Sequence, residues 1–206
     1  MKSGEGGGDA YYPALDGLRG TALLIVFAAH YAAAVSWMYY GALAVEFFFA
    51  LSGYLITGIL LRARDKQTRA GVTRGSVLGR FYARRALRLL PVFYVLLLVL
   101  WLVDFENIRE TIFWHVFYAS NIRFATVGGF EGHFGHFWTL AVEEQFYFVW
   151  PFLVLWAPLR ALPAILLALT AVGPLFRGLA PLAGVSEIVE WTLPFGSLDA
   201  LSLGSL

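Results

Sequence analysis

LDGLRGTALLIVFAAHY, residues 15–31, places an aspartate, an arginine and a histidine along one apolar run. Ionisable groups inside a membrane are costly and mark functional positions. On a helix turning 100° per residue, the steps from Arg19 to His30 return to within about 20° of the same face. The two side chains share a stripe but lie about 16 Å apart along the axis, which suits an entry site and a reaction centre rather than a direct contact. Asp16 joins that stripe if the helix starts early enough.

The surrounding chain has the composition of a membrane protein. Of its 206 residues 59% are hydrophobic and 14% charged, against roughly 25% charged in soluble domains. Nine of the fifteen basic residues (Arg62, Arg64, Lys66, Arg69, Arg74, Arg80, Arg84, Arg85, Arg88) fall between positions 62 and 88, opposed there by Asp65. A basic loop between apolar runs marks a cytoplasmic connection. That places the amino terminus inside, Arg19 at the cytoplasmic edge and His30 in the outer half of the first span. The same charge fits topology or ligand binding better than nucleic-acid binding. With no cysteine, disulfides, thiolate nucleophiles and cysteine-based zinc sites are excluded, and covalent chemistry falls to His, Ser, Thr or a carboxylate.

Apolar runs of about 20 residues suffice to cross a bilayer. The pattern predicts an all-α, polytopic transmembrane helix bundle over residues 15–206, preceded by a flexible cytoplasmic lead over 1–14 that contains the run SGEGGG. Spans are expected at 18–40, 44–61, 89–103, 138–157 and 161–176. A tight turn is expected at Gly41 and Ala42, and an interfacial helix over 81–90 with its bend at Pro91. The segment 104–137 lies outside, its apolar piece 112–120 being re-entrant or surface-lying. Residues 193–206 begin a sixth span that is too short to cross, so the chain is expected to be truncated at its carboxyl end.

Several groups could carry chemistry. His30 suits a general base or an acyl carrier near neutral pH, or a structural histidine bonded to a neighbouring backbone. Glu143 and Glu144 point about 100° apart on a helix, so one of them joins a given cluster while the other meets interfacial water. Tyr147 falls on the Glu143 face, one turn on. Arg84, Arg85 and Arg88 occupy about one turn, where guanidinium forks can hold the phosphates of a nucleotide-bearing donor or of lipid headgroups. His133 and His136, near Glu131, have a spacing that metal sites use, but no helix is assured there and no metal site is assigned. Ser52, beside Gly53, reads as a small-residue packing pair rather than a nucleophile.

Four motifs in order then resemble acyltransferase family 3, the integral membrane O-acyltransferases. They are LDGLRG with the Asp16, Arg19, His30 spacing, VEFFFALSGYLI at 45–56, FYARRALRLLPVFY at 81–94, and HFWTLAVEEQFYFVWP at 136–151. LDALSLGSL at 198–206 also resembles the start of a later span in that family. Thr139 stands where the family commonly has serine and Tyr54 where phenylalanine is frequent; neither change removes a titratable group. The resemblance implies transfer of an acyl group, usually acetyl from acetyl-coenzyme A, to a hydroxyl of a cell-envelope or exported glycan. It also implies a multi-pass protein of the bacterial inner membrane.

On that reading His30 and Glu143 are catalytic, with Asp16, Arg19, Glu144 and Tyr147 in support. Arg84, Arg85 and Arg88, with Arg19, receive the coenzyme A phosphates. No cofactor is held permanently: acyl-coenzyme A is a co-substrate, and the remaining partners are the glycan acceptor and membrane lipids. The alternative from another class is a glycan or lipid transporter whose buried charges line a path.

Overall fold

The computed structural model describes the backbone of residues 13–31 and 35–206, and side chains at 17–18, 20–28 and 40–206. Every regular element among the described residues is helical. Helix α1 spans Pro13–Tyr31 and α2 spans Val35–Ala70. Pro13 opens α1, where its fixed φ is already helical and its missing N–H costs nothing. The helix therefore takes in the last two residues of the expected flexible lead. The chain passes from α1 to α2 between Tyr31 and Val35, so the turn expected at Gly41 and Ala42 is instead helix interior. Leu18, Thr21, Ala22 and Ile25 of α1 face Leu43, Ala44 and Phe47 of α2, a stripe at the three-to-four spacing that one helix offers another.

At 36 residues, α2 is about 54 Å long, far more than the ~30 Å hydrocarbon core. Its last turns project beyond the apolar layer and carry Arg62, Arg64, Lys66 and Arg69. Much of the expected basic loop is thus helix. The true connection is short: Gly71 takes the left-handed conformation at φ 65°, and Thr73 caps α3 by accepting from the Ser76 amide at 3.3 Å.

Helix α3 runs unbroken from Arg74 to Val103 with Pro91 inside it. No separate interfacial helix forms over 81–90, because losing one backbone donor does not stop a long apolar helix whose neighbours remain bonded. Asp104, Glu106 and Asn107, all at positive φ, then reverse the chain into α4 (Ile108–Val116) and α5 (Ser120–Val127). These short helices take up much of the segment 104–137, and neither is long enough to cross.

Helix α6, Phe137–Trp156, forms the centre of the bundle. Trp138, Val142, Phe146, Trp150 and Val154 are buried along it. Arg64 of α2 donates to the carbonyls of Val154 at 2.6 Å and Ala157 at 2.7 Å, covering two of the acceptors that a helix end leaves open. Helix α7 covers Leu162–Leu179, and the short α8, Glu187–Thr192, leads into α9, Leu198–Gly204.

The sixth-span segment is not extended across the bundle here. A 3-10 turn at Pro194–Ser197 feeds α9, which packs against α2 and α7 through glycines. A Cβ at Gly53 would run into the Leu201 carbonyl, and one at Gly204 into the Ala50 carbonyl. Arg177 of α7 pairs with Asp199 of α9 at 2.5 Å, and Glu46 of α2 faces the same pair while bonding Ser197.

Three helices among the described residues are long and apolar enough to cross a membrane: Tyr40–Ala70 within α2, Arg74–Val103 and Leu162–Leu179. The chain is a multi-pass membrane protein. Helix α6 has the length, but its glutamates, tryptophans and tyrosine lower its apolarity.

Candidate active site

Glu143 lies on the inward face of α6, 8% exposed within the apolar core. A carboxylate in such surroundings requires hydrogen-bond donors. Ser52 of α2 donates its hydroxyl to Oε1 at 2.5 Å, and the Tyr147 hydroxyl, one turn further along α6, donates to the same oxygen at 3.0 Å. The same-face contact expected for Glu143 and Tyr147 is present. One turn deeper, Trp150 Nε1 donates to Thr57 Oγ1 at 2.7 Å, so α2 and α6 are joined by two successive buried polar contacts.

Glu144 points away from Glu143, as helix geometry requires. It meets Arg85 of α3 rather than open water: Nη2 at 2.6 Å and Nε at 3.0 Å both donate to its Oε1. The same guanidinium lies over the Tyr147 ring, 3.2 Å from its centroid. Arg85 therefore touches both the second glutamate and the tyrosine that holds the first. Arg84 and Arg88 remain exposed on α3, so the three arginines divide into an inward one and an outward pair.

Beside this pair a cleft of about 500 Å³ opens between α3 and α6. Its walls include Tyr82, Tyr118, Tyr147 and Phe148, and its polar lining is Arg85, Glu144 and Gln145. Gln145 is held by a reciprocal amide pair with the buried Asn121, donating at 2.9 Å and accepting at 3.2 Å. Its Nε2 also donates to the Tyr118 carbonyl at 2.8 Å. This network seats α5 on α6.

Further out, His133 and Glu106 are bonded through both the His133 ring and its backbone amide. The backbone bond, with the ring beside it, holds the Glu106 carboxyl below its ordinary range. Arg123 grips Glu131 at 2.8 and 3.0 Å and lowers its carboxyl likewise. Glu131 and His133 are thus engaged with other partners. Buried His115 packs against Phe134 and Phe137, and desolvation pushes its imidazole down to about 4.

The side chains of Asp16, Arg19 and His30 lie outside the described residues. The contribution of Ser52 was not legible in the sequence, where a Ser-Gly pair signals close packing. That packing reading holds for Gly53, against which α9 rests, while the neighbouring Ser52 turns to α6. Arg64 was likewise indistinguishable among the other basic residues.

A membrane helix bundle with a buried carboxylate clamped by hydroxyls defines a protein with an intramembrane polar site. The chain belongs to acyltransferase family 3: the family model described as an acyltransferase domain matches residues 12–196. It is 37% identical over 156 residues to the peptidoglycan O-acetyltransferase OatA of Listeria monocytogenes, covering 68% of this chain and 24% of that protein. It is also 36% identical over 155 residues to YrhL of Bacillus subtilis, whose name assigns it provisionally to peptidoglycan O-acetylation, covering 68% of this chain and 23% of that protein. The chain spans about a quarter of the length of the curated relatives it matches. No solved structure matches it.

Proposed function

We propose that this chain supplies the acyl-transfer site of a membrane O-acyltransferase, moving an acetyl group from acetyl-coenzyme A to a hydroxyl of a cell-envelope glycan. The observation that carries the reading is the buried Glu143 carboxylate, held by Ser52 and Tyr147 within the residues that the acyltransferase family model covers. The names of the relatives support the acetyl group and the glycan class of acceptor.

Acyl transfer to an alcohol needs a base for the hydroxyl proton and a charged group to orient it. His30 takes that proton, either as the acceptor oxygen attacks the thioester or in relaying the acyl group through its own ring. Glu143 orients the imidazole. In either course the thioester C–S bond breaks, an ester C–O bond forms, and coenzyme A leaves as its thiol. Arg84 and Arg88, with Arg19, receive the donor phosphates at the cytoplasmic face, and Arg85 works from inside the bundle. Asp16 pairs with Arg19. The amino terminus lies in the cytoplasm, and the membrane is the bacterial inner one.

The test uses the full-length protein in liposomes with labelled acetyl-coenzyme A and extracted envelope glycan. Wild type is expected to release coenzyme A and label the glycan, and folded His30→Ala and Glu143→Gln to lose both activities. Full transfer by either variant sinks its assigned role, and transport of glycan with no donor consumed would replace the reading with a transporter.

A further inference from the structure

Glutamate has three side-chain torsions, and in an apolar interior no bulk water averages its position. Its orientation is set by whatever donates to it. In this bundle two donors converge on one oxygen from different helices: Ser52 Oγ of α2 at 2.5 Å and Tyr147 Oη of α6 at 3.0 Å. The first distance is that of a charge-assisted O–H to carboxylate bond. A carboxylate pinned at one oxygen from two directions has its plane, and with it the direction of the second oxygen, determined.

We infer that Ser52 is a positioning residue for Glu143, acting with the Tyr147 hydroxyl to hold the carboxylate in one orientation. This rests on the acyl-transfer reading above. Ser52 does not act as a nucleophile: it is 1% exposed, with no surface for a substrate carbonyl, and its single proton is committed to Glu143. The adjacent Gly53 lets α9 approach to the Leu201 carbonyl. The same turn of α2 therefore seats α9 on one side and orients Glu143 on the other.

The experiment measures coenzyme A release by full-length protein in liposomes with acetyl-coenzyme A and envelope glycan. The variants are Ser52→Ala, the near-isosteric weak donor Ser52→Cys, Tyr147→Phe and Glu143→Gln. Loss of one hydrogen bond to a charged group corresponds to about a 10- to 100-fold fall in kcat. That fall is expected for both serine variants and for Tyr147→Phe, with the KM for acetyl-coenzyme A within twofold of wild type and a thermal unfolding that is lowered but still cooperative. If Ser52→Ala does not fold, Ser52→Cys decides. Wild-type kcat in the folded serine variants, with Glu143→Gln inactive, overturns the positioning role alone. Equal rises in KM without a fall in kcat overturn it too. Wild-type kcat in Glu143→Gln overturns the role of Glu143 and the positioning role with it, whereas glycan transport by wild type with no donor consumed overturns the acyl-transfer reading itself.

Discussion

The guanidinium of Arg85 lies 3.2 Å from the centroid of the Tyr147 ring while two of its nitrogens donate to Glu144. One planar cation thus braces α3 against both faces of α6 that matter, the ion-paired face and the ring of the residue that clamps Glu143. An ammonium is a compact point charge and cannot stack on a ring while placing two donors on a carboxylate. Arg85→Lys is therefore expected to lower kcat about tenfold and stability by about 1 kcal/mol. Unchanged turnover and unfolding midpoint in that variant would show that charge alone matters at this position.

Arg84 and Arg88 face outward on α3 and should act on the donor rather than on the bundle. Changing both to Gln is expected to weaken coenzyme A binding roughly 10- to 100-fold and flatten its salt dependence, with unfolding unaltered. Titration of coenzyme A into nanodisc-held protein at two ionic strengths reads both effects. An affinity equal to wild type moves the phosphate site elsewhere.

At Gly53 there is no room for a methyl group, because the Leu201 carbonyl of α9 occupies the space. Gly53→Ala should cost about 1–3 kcal/mol, the range for overpacking a close contact. Protection of the α9 amides from hydrogen exchange should fall with it. Intact α9 protection in Gly53→Ala would mean that the helices separate without penalty.

His115 introduces a pH dependence. Burial pushes its imidazole down to about 4, and among the described residues its Nδ1 has no hydrogen-bond partner. A folded value below the unfolded one means that the unfolded chain binds the proton first. The associated stability is complete above the unfolded pKa near 6.5 and is lost as pH falls toward 4. The loss amounts to at most about 3 kcal/mol. His115→Phe, which removes the titrating group while keeping an apolar ring, should unfold with a shallower pH slope than wild type between pH 7 and 4. Parallel slopes for the two proteins would remove His115 as the cause.

Much of the architecture was legible because membranes constrain sequences strongly. A long apolar run with few charges has one low-energy solution, a helix, and run length located α6 and α7 to within a few residues, whereas α2 and α3 extend well beyond the spans expected at 44–61 and 89–103. The Glu143–Tyr147 contact was also legible, since four residues on one helix are neighbours whatever else the chain does. The errors fell where continuity is cooperative. Pro91 and Gly41 read as breaks, yet both lie inside helices, because packing and neighbouring backbone bonds outweigh one residue's propensity.

By itself, then, the order of residues determined that this chain is an all-α membrane bundle, that Glu143 shares a face with Tyr147, and that its motifs are those of acyltransferase family 3. Only the tertiary structure decided that Ser52 rather than another hydroxyl meets Glu143, that Arg85 turns inward while Arg84 and Arg88 do not, and that Arg64 closes the end of α6. Periodicity specifies which side of a helix a residue occupies. Which helix faces that side, and at what height, is set by the interlocking of small residues such as Gly53 with backbones distant in sequence, and that information lies in no local stretch.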